Sequence, residues 1–352
     1  MNPPPTAASL DRATRVQPAW MKMAPGLALC AVIAGFAFLA GSAVPLVGAP
    51  LFAIAIGVVV ANTLRDTIRL STLKIGDISK LCLKSGIVVL GASLDLRDIA
   101  HTGGNSLVFL AVTVVAGLGT ALILGKFMDI DWRIRCLIGM GTTICGASAI
   151  AALAPVLRAK ADEIAYSVTV VFFFNMIAVF LFPTLGHLFG LSDNGFGIWT
   201  GTAVNDTSAV VAAGFAFSDP AGNIATIVKL TRTTLIIPLV IAFGVALPWL
   251  DPEAAGKQDV PLLRRVYDAF PVFIILFLLA SILRTIGLTT AFSHELQIIG
   301  RCLLVIALAA VGLQGHWRAF AGAGARPLLL GGITWFAVAS ASLIVQALTN
   351  QL

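Results

Sequence analysis

The residues best able to do chemistry lie in two copies of one short stretch, sixty positions apart. Gly141-Thr142-Thr143-Ile144-Cys145-Gly146-Ala147-Ser148-Ala149-Ile150-Ala151-Ala152 aligns without a gap on Gly201-Thr202-Ala203-Val204-Asn205-Asp206-Thr207-Ser208-Ala209-Val210-Val211-Ala212, with five of twelve positions identical and two more exchanging Ile for Val. Each copy sets small and polar residues in the middle of an apolar run of about twenty residues, long enough to enter a bilayer. A Gly-Thr entry, a polar centre and a Ser before an Ala/Val run predict a half-helix, a break and a second half-helix, with Ser148 and Ser208 as N-caps. Backbone freed at membrane depth is tolerated beside a cavity or inside protein, so paired breaks point to a binding site. Close helix packing by small residues is the plainer alternative. Asn205 and Asp206, inside one copy, favour the site.

Asp206 near the bilayer centre would cost roughly 2.5–3.5 kcal/mol or more as an ion, so it is expected protonated, paired or bound to a cation. Lys229 and Arg232, at i and i+3 on one face of the next helix, are its expected partners. The group is then either a structural salt bridge or a coupling device in which a substrate anion or a proton competes for the two cations. An oxyanion leaving water needs donors, and a half-helix N-terminus supplies roughly half a positive charge with free N–H groups. Ser148 and Ser208 would mark two such ends, meeting at mid-depth, with Thr142, Thr143, Thr202 and Thr207 as hydroxyl donors. Cys145 and Gly146 belong to the same candidate site. Asn175, in the apolar run Phe172 to Ile177, could face this cavity or bond a neighbouring helix, and packing is favoured. His101, His187, His294 and His316 fall near connections and read as solvated surface residues.

The elements that must position these groups follow from composition. Of 352 residues, 58% are hydrophobic and 11% charged, against roughly 25% charged in soluble domains. The class is therefore an all-α polytopic membrane protein. Apolar runs fall near 25–45, 50–64, 81–96, 105–125, 134–156, 164–184, 196–217, 222–248, 270–286, 296–314 and 327–348. That makes about nine spans plus two re-entrant or broken segments, 134–156 and 196–217. The net charge of +6 lies in the connections and fits topology and anionic headgroups, not nucleic acid. Residues 1–24, with Pro3-Pro4-Pro5, Arg12 and Arg15, read as a disordered cytoplasmic tail before an uncleaved first span. Five cysteines without metal-ligand spacing read as structural thiols, Cys145 alone having a claim on function.

Lys and Arg set the topology. The tail (Lys22), the second connection (Arg65, Arg69, Lys74, Lys80) and the fourth (Lys126, Arg133, Arg135) read as cytoplasmic. Arg158 and Lys160 agree only if 134–156 is a hairpin that returns to the side it entered from. A second hairpin, 196–217, would dip in from outside, leaving Lys257, Arg264, Arg265, Arg318 and Arg326 inside and the C-terminus periplasmic. Spanning broken helices fit these charges less well. A further repeat flanks the twins: Ala61-Asn62-Thr63-Leu64-Arg65 resembles Ala280-Ser281-Ile282-Leu283-Arg284, and Leu90-Gly91-Ala92-Ser93-Leu94-Asp95-Leu96-Arg97 resembles Val311 through Arg318. The offsets, 219 and 221, nearly coincide, and the first and last four spans run in opposite senses. The expected organisation is a first repeat at 25–126, the central twins at 127–217 and a second repeat at 218–352, an inverted-repeat secondary-transporter fold.

The run Gly91 through Arg97, the stretch Cys145 through Ala149, and the block Gly201 through Ser208 followed by Lys229-Leu230-Thr231-Arg232 resemble the bacterial YeiH-type family, for which sulfate export has been suggested. The resemblance runs from residue 25 to 352. It implies an inner-membrane carrier of the cation/proton antiporter and bile-acid symporter clan, with inverted repeats and unwound helices. The leading function is secondary transport of a small anion, sulfate or organosulfonate-related. A cation/proton antiporter using Asn205-Asp206 is the alternative. An intramembrane enzyme is a distant third, because no His-Glu-x-x-His or Gly-x-Ser-x-Gly is present, and no Gly-x-x-x-x-Gly-Lys loop supports ATP-driven transport. No catalytic residue, metal or cofactor is expected, although H⁺ or Na⁺ could be the coupling ion. The expected partners are the substrate anion, the bilayer and, as an open option, a second copy of the chain.

Overall fold

A computed structural model describes residues 19–44, 48–63, 73–251, 271–315 and 324–351. Arg12, Arg15, Arg65, Arg69, Lys257, Arg264, Arg265, His316 and Arg318, used above for topology, repeats or surface assignment, lie outside the described residues. Within them the secondary structure is helical, in the order α1 (Ala19–Ala43), α2 (Gly48–Thr63), α3 (Ile75–Gly91), α4 (Leu96–Phe127), α5 (Trp132–Thr143), α6 (Ala147–Leu157), α7 (Ala161–Leu188), α8 (Asp193–Ala203), α9 (Thr207–Phe217), α10 (Asp219–Thr234), α11 (Ile236–Leu250), α12 (Val272–Thr285), α13 (Ser293–Gln314) and α14 (Ala325–Leu348). Side chains cap several starts: Asp95 accepts from Arg97 N, Asp131 from Arg133 N, Ser192 from Gly195 N and Ser218 from Ala221 N.

Among the described residues, six helical stretches are long and apolar enough to cross a membrane: Met23–Ala43, Leu96–Phe127, Ala161–Leu188, Asp219–Trp249, Thr290–Gln314 and Ala325–Leu348. The expected count of nine spans is not reached on length, because α2, α3 and α12 have only 16, 17 and 14 residues. At 1.5 Å per residue these are roughly 21–26 Å long, short of a hydrocarbon core of about 30 Å. The third helix also begins earlier than its apolar run suggested. Starting at Ile75 rather than 81, it takes Asp77 and Lys80 into the helix.

Helices α1, α2, α3, α12 and α13 pack together, with α13 against α1, α2 and α3 and with α12 against α3. A Cβ on Gly57 would stand 2.6 Å from Ala309 O and one on Gly312 would stand still closer to Ile54 O, so α2 and α13 meet backbone to backbone. Asn62 Nδ2 donates to Gly315 O (2.9 Å), and Ser281 Oγ donates to Leu94 O (2.8 Å). Asn62 and Ser281 are matched positions of one sequence repeat, Leu94 and Gly315 of the other. Each copy thus makes the same bond to its counterpart's partner.

The remaining helices surround α10, which packs against α4, α8 and α9, while α14 lies along α4 and reaches α5, α7 and α8. The twin segments are hairpins. In the first, α5–α6, Arg133 at the start donates through Nε to Leu157 O at the end (3.1 Å). In the second, α8–α9, Ser218 Oγ at the end donates to Asp193 at the start (2.5 Å), and the Phe196 and Phe217 rings stack at 4.0 Å. The 31-residue stretch Asp219–Trp249, roughly 46 Å long, leaves from the base of the second hairpin. It ends beside Asp251, which pairs with Arg133 at the base of the first (2.5 Å). The two hairpins therefore enter from opposite ends of the bundle and meet between them.

Candidate functional site

Four half-helix ends converge where the hairpin tips meet. Helices α5 and α8 arrive with their C-termini, so their last carbonyls lack helical partners and carry partial negative charge. Lys229 and Arg232, both fully buried on α10, supply the missing donors. Lys229 Nζ donates to Ile144 O (2.6 Å), Val204 O (3.0 Å) and Asn205 O. An ammonium has three N–H groups, so this one is saturated. Arg232 donates to Thr142 O (2.8 Å), Val204 O (3.3 Å) and Thr143 O. One cation pair thus stitches both tips together.

This corrects the expected pairing with Asp206. Among the described residues the ion pairs are Lys74–Asp77, Arg133–Asp251 and Arg301–Asp219, and Asp206 joins none of them. Its carboxylate caps α9 instead, accepting from Ser208 N (2.9 Å) and from the Ser208 hydroxyl. The expected caps are corrected with it. Ser208 sits one residue inside the helix and donates to the cap, because a carboxylate is the stronger acceptor at a positive helix end. On α6 the N-cap position is Gly146, with φ +69° and no side-chain cap, and Ser148 lies exposed in the first turn. Gly146 suits a backbone sign that other residues rarely adopt.

Two of the expected hydroxyl donors also point elsewhere. Thr143 Oγ1 donates to Gly139 O (2.7 Å), and Thr202 Oγ1 bonds Ile198 O and Ser342 Oγ (2.6 Å), since buried hydroxyls in helices are readily satisfied by the preceding turn or a neighbouring helix. Thr142 contributes its carbonyl. Asn175 joins the site: its Oδ1 accepts from Asn205 N (3.1 Å) and Asp206 N (3.0 Å), holding the second tip open. Both polar atoms of the Asn205 side chain are buried without a hydrogen-bond partner. His101, His187 and His294 are exposed.

Two cavities flank the tips. The larger, about 1180 Å³, runs from Cys145, Ser148 and Thr207 along α6 to Pro155, with α3 and the start of α12 as its far wall. It extends toward the end of the bundle that holds the base of the first hairpin. The smaller, about 20 Å³, is lined by Asn175, Asp206 and Ser208 with Ile54 and Val311, room for about one water. Because Thr207 faces one cavity while Asp206 and Ser208 face the other, the first turn of α9 divides them. Lys84, on the α3 wall of the large cavity, was not among the sequence candidates. Its signal was a lysine followed by Ser85 inside an apolar run that had been placed wholly in the membrane.

These features define a multi-pass membrane protein with a cavity ending at crossed helical hairpins. The chain belongs to the family described as conserved hypothetical protein 698, which it matches over residues 25–331. It is 39% identical over 333 residues to a UPF0324 membrane protein of Streptococcus agalactiae serotype V, covering 92% of this chain and 97% of that one. A UPF0324 membrane protein of Clostridium tetani is 36% identical over 337 residues, with 92% and 96% covered. No solved structure matches. The YeiH-type resemblance is consistent with this family.

Proposed function

We propose that the protein is a secondary carrier of a small anion, sulfate or organosulfonate-related, across the bacterial inner membrane, coupled to an ion or proton gradient. The large cavity carries this reading. It ends on the N-terminus of α6, which no side chain of its N-cap residue caps, with Ser148 and Thr207 beside it, and among the described residues no Asp or Glu lines it. Helix N-termini with free N–H groups are suited to anions. The inverted-repeat reading is supported by the matched bonds of Asn62 and Ser281, by the opposite senses of the two hairpins, and by α2 and α12, which run oppositely. The direct test is counterflow: proteoliposomes loaded with unlabelled sulfate should accumulate labelled sulfate. A panel of sulfate, sulfite and short sulfonates with no counterflow would remove the reading.

Orientation follows from charge. Lys74, Lys80, Lys126, Arg133, Arg135, Arg158 and Lys160 fall at the end bearing the first hairpin's base, and Arg97, Arg284 and Arg301 fall toward the other. The positive-inside rule makes the first end cytoplasmic, so the large cavity faces inward. A cysteine replacing Lys160 should stay unlabelled by impermeant thiol reagents added outside intact cells. Ready labelling from outside would reverse the orientation.

A cation/proton antiporter is the second reading. The small cavity beside Asp206, where Asn175 and Ser208 stand among apolar side chains, is the observation that favours it.

A further inference from the structure

We infer that Lys84 is the selectivity residue of the large cavity, the charge that admits anions and turns cations away. The inference extends the carrier reading of the same cavity. Lys84 is the tenth of seventeen residues in α3, and with Leu81, Ser85 and Val88 it forms the i, i+3, i+4 stripe that faces the cavity. Among the described residues it is the only charged side chain lining the cavity. Its ammonium rests 5.9 Å from the centre of the Phe273 ring on α12, and it joins no ion pair among the described residues. Lys84 is exposed at the cavity wall, and a cation there with no carboxylate beside it among the described lining residues sets up a positive potential in the cavity and concentrates counter-ions.

The placement divides the labour of recognition. Lys84 and Phe273 stand on α3 and α12, whereas Ser148, Thr207 and the open end of α6 stand on the hairpins opposite. An anion in the cavity would meet a mobile point charge on one side and fixed dipoles on the other. The ligand class that satisfies both is a compact oxyanion, with several acceptor oxygens for the dipoles and a full charge for the ammonium. The aromatic face gives the ammonium a resting contact when no anion is present.

The test reads local potential without assuming a substrate. In a Cys145→Ala background, Ser148→Cys places a thiol in the cavity wall. Its reaction rates with an anionic sulfonate-bearing and a cationic trimethylammonium-bearing methanethiosulfonate are each divided by the rate with a neutral one, which also reports that the cavity has folded. With Lys84 in place, the anionic reagent should be favoured. Lys84→Arg should keep that preference, Lys84→Gln should lower the anionic-to-cationic ratio by about ten-fold, and Lys84→Glu should invert it, matching the lower range of electrostatic focusing. A ratio indifferent to all three substitutions overturns the assignment. Sulfate counterflow by the unmodified protein is scored separately. A charge-dependent ratio without flux of any anion keeps Lys84 and removes the carrier reading, and flux with an indifferent ratio does the reverse.

Discussion

Lys229→Met is expected to remove about 3–5 kcal/mol of stability, the scale found when one partner of a buried charged network is deleted. Methionine fills the volume but donates nothing, so the carbonyls of Ile144, Val204 and Asn205 lose their shared donor where water does not replace it. A buried carbonyl left alone costs about 1–3 kcal/mol, and three are affected, though Val204 O keeps Arg232. For the same reason Arg232→Leu should be comparably damaging, and the double variant should lose more than the sum, because Val204 O keeps one donor in each single variant and has none once both cations are gone. Propylammonium, which matches the atoms lost in Lys229→Ala, should partly restore that variant. Thermal unfolding of detergent-purified protein measures all of these. A loss under about 1 kcal/mol in Lys229→Met would mean that the tips hold without the ammonium.

Asp206→Asn divides the two carrier readings by the whole of the flux. Asn caps a helix about as well as Asp, so α9 should keep its start and stability should change little, whereas Asp206→Ala should cost about 0.5–2 kcal/mol. Lys229 and Arg232 already bond tip carbonyls, so removing the carboxylate leaves the stitched tips in place. Anion counterflow should therefore survive in Asp206→Asn. If Asp206 is the seat of a transported cation, the same variant should abolish Na⁺- or H⁺-linked flux measured with a pH-sensitive dye in proteoliposomes. Loss of anion flux in a stable Asp206→Asn protein would make the carboxylate essential to the anion cycle. The idea that Asp206 and the substrate compete directly for Lys229 and Arg232 is weakened in any outcome, since the three donors of Lys229 and one from each nitrogen of the Arg232 guanidinium are engaged with tip carbonyls.

Much of this site is local and so is legible in one dimension. The twin stretches announce their breaks because a polar centre in an apolar run can be satisfied only inside protein, and the Lys and Arg of the connections distinguish hairpins from spans. The partners of Lys229 were not legible. Charge complementarity singles out Asp206, but the carbonyls of a helix end have no signature in the side-chain alphabet, and two such ends outbid the carboxylate. The caps failed for a related reason: Ser148 and Ser208 match the N-cap preference, while Gly146 and Asp206 hold the position once the tip geometry is known.

The amino-acid sequence by itself determined the membrane class and the paired breaks of the twin segments, favoured hairpins over spanning broken helices, and matched Asn62 with Ser281. These depend on composition and on short-range pattern, which survive without knowledge of distance. Only the tertiary structure decided which helix faces enclose a cavity, and hence that Lys84, unremarkable within α3, stands opposite Ser148 and Thr207. Residues separated by 64 positions acquire a common electrostatic environment only when helices α3 and α6 are packed with a gap between them, and the size of that gap is a property of the whole bundle.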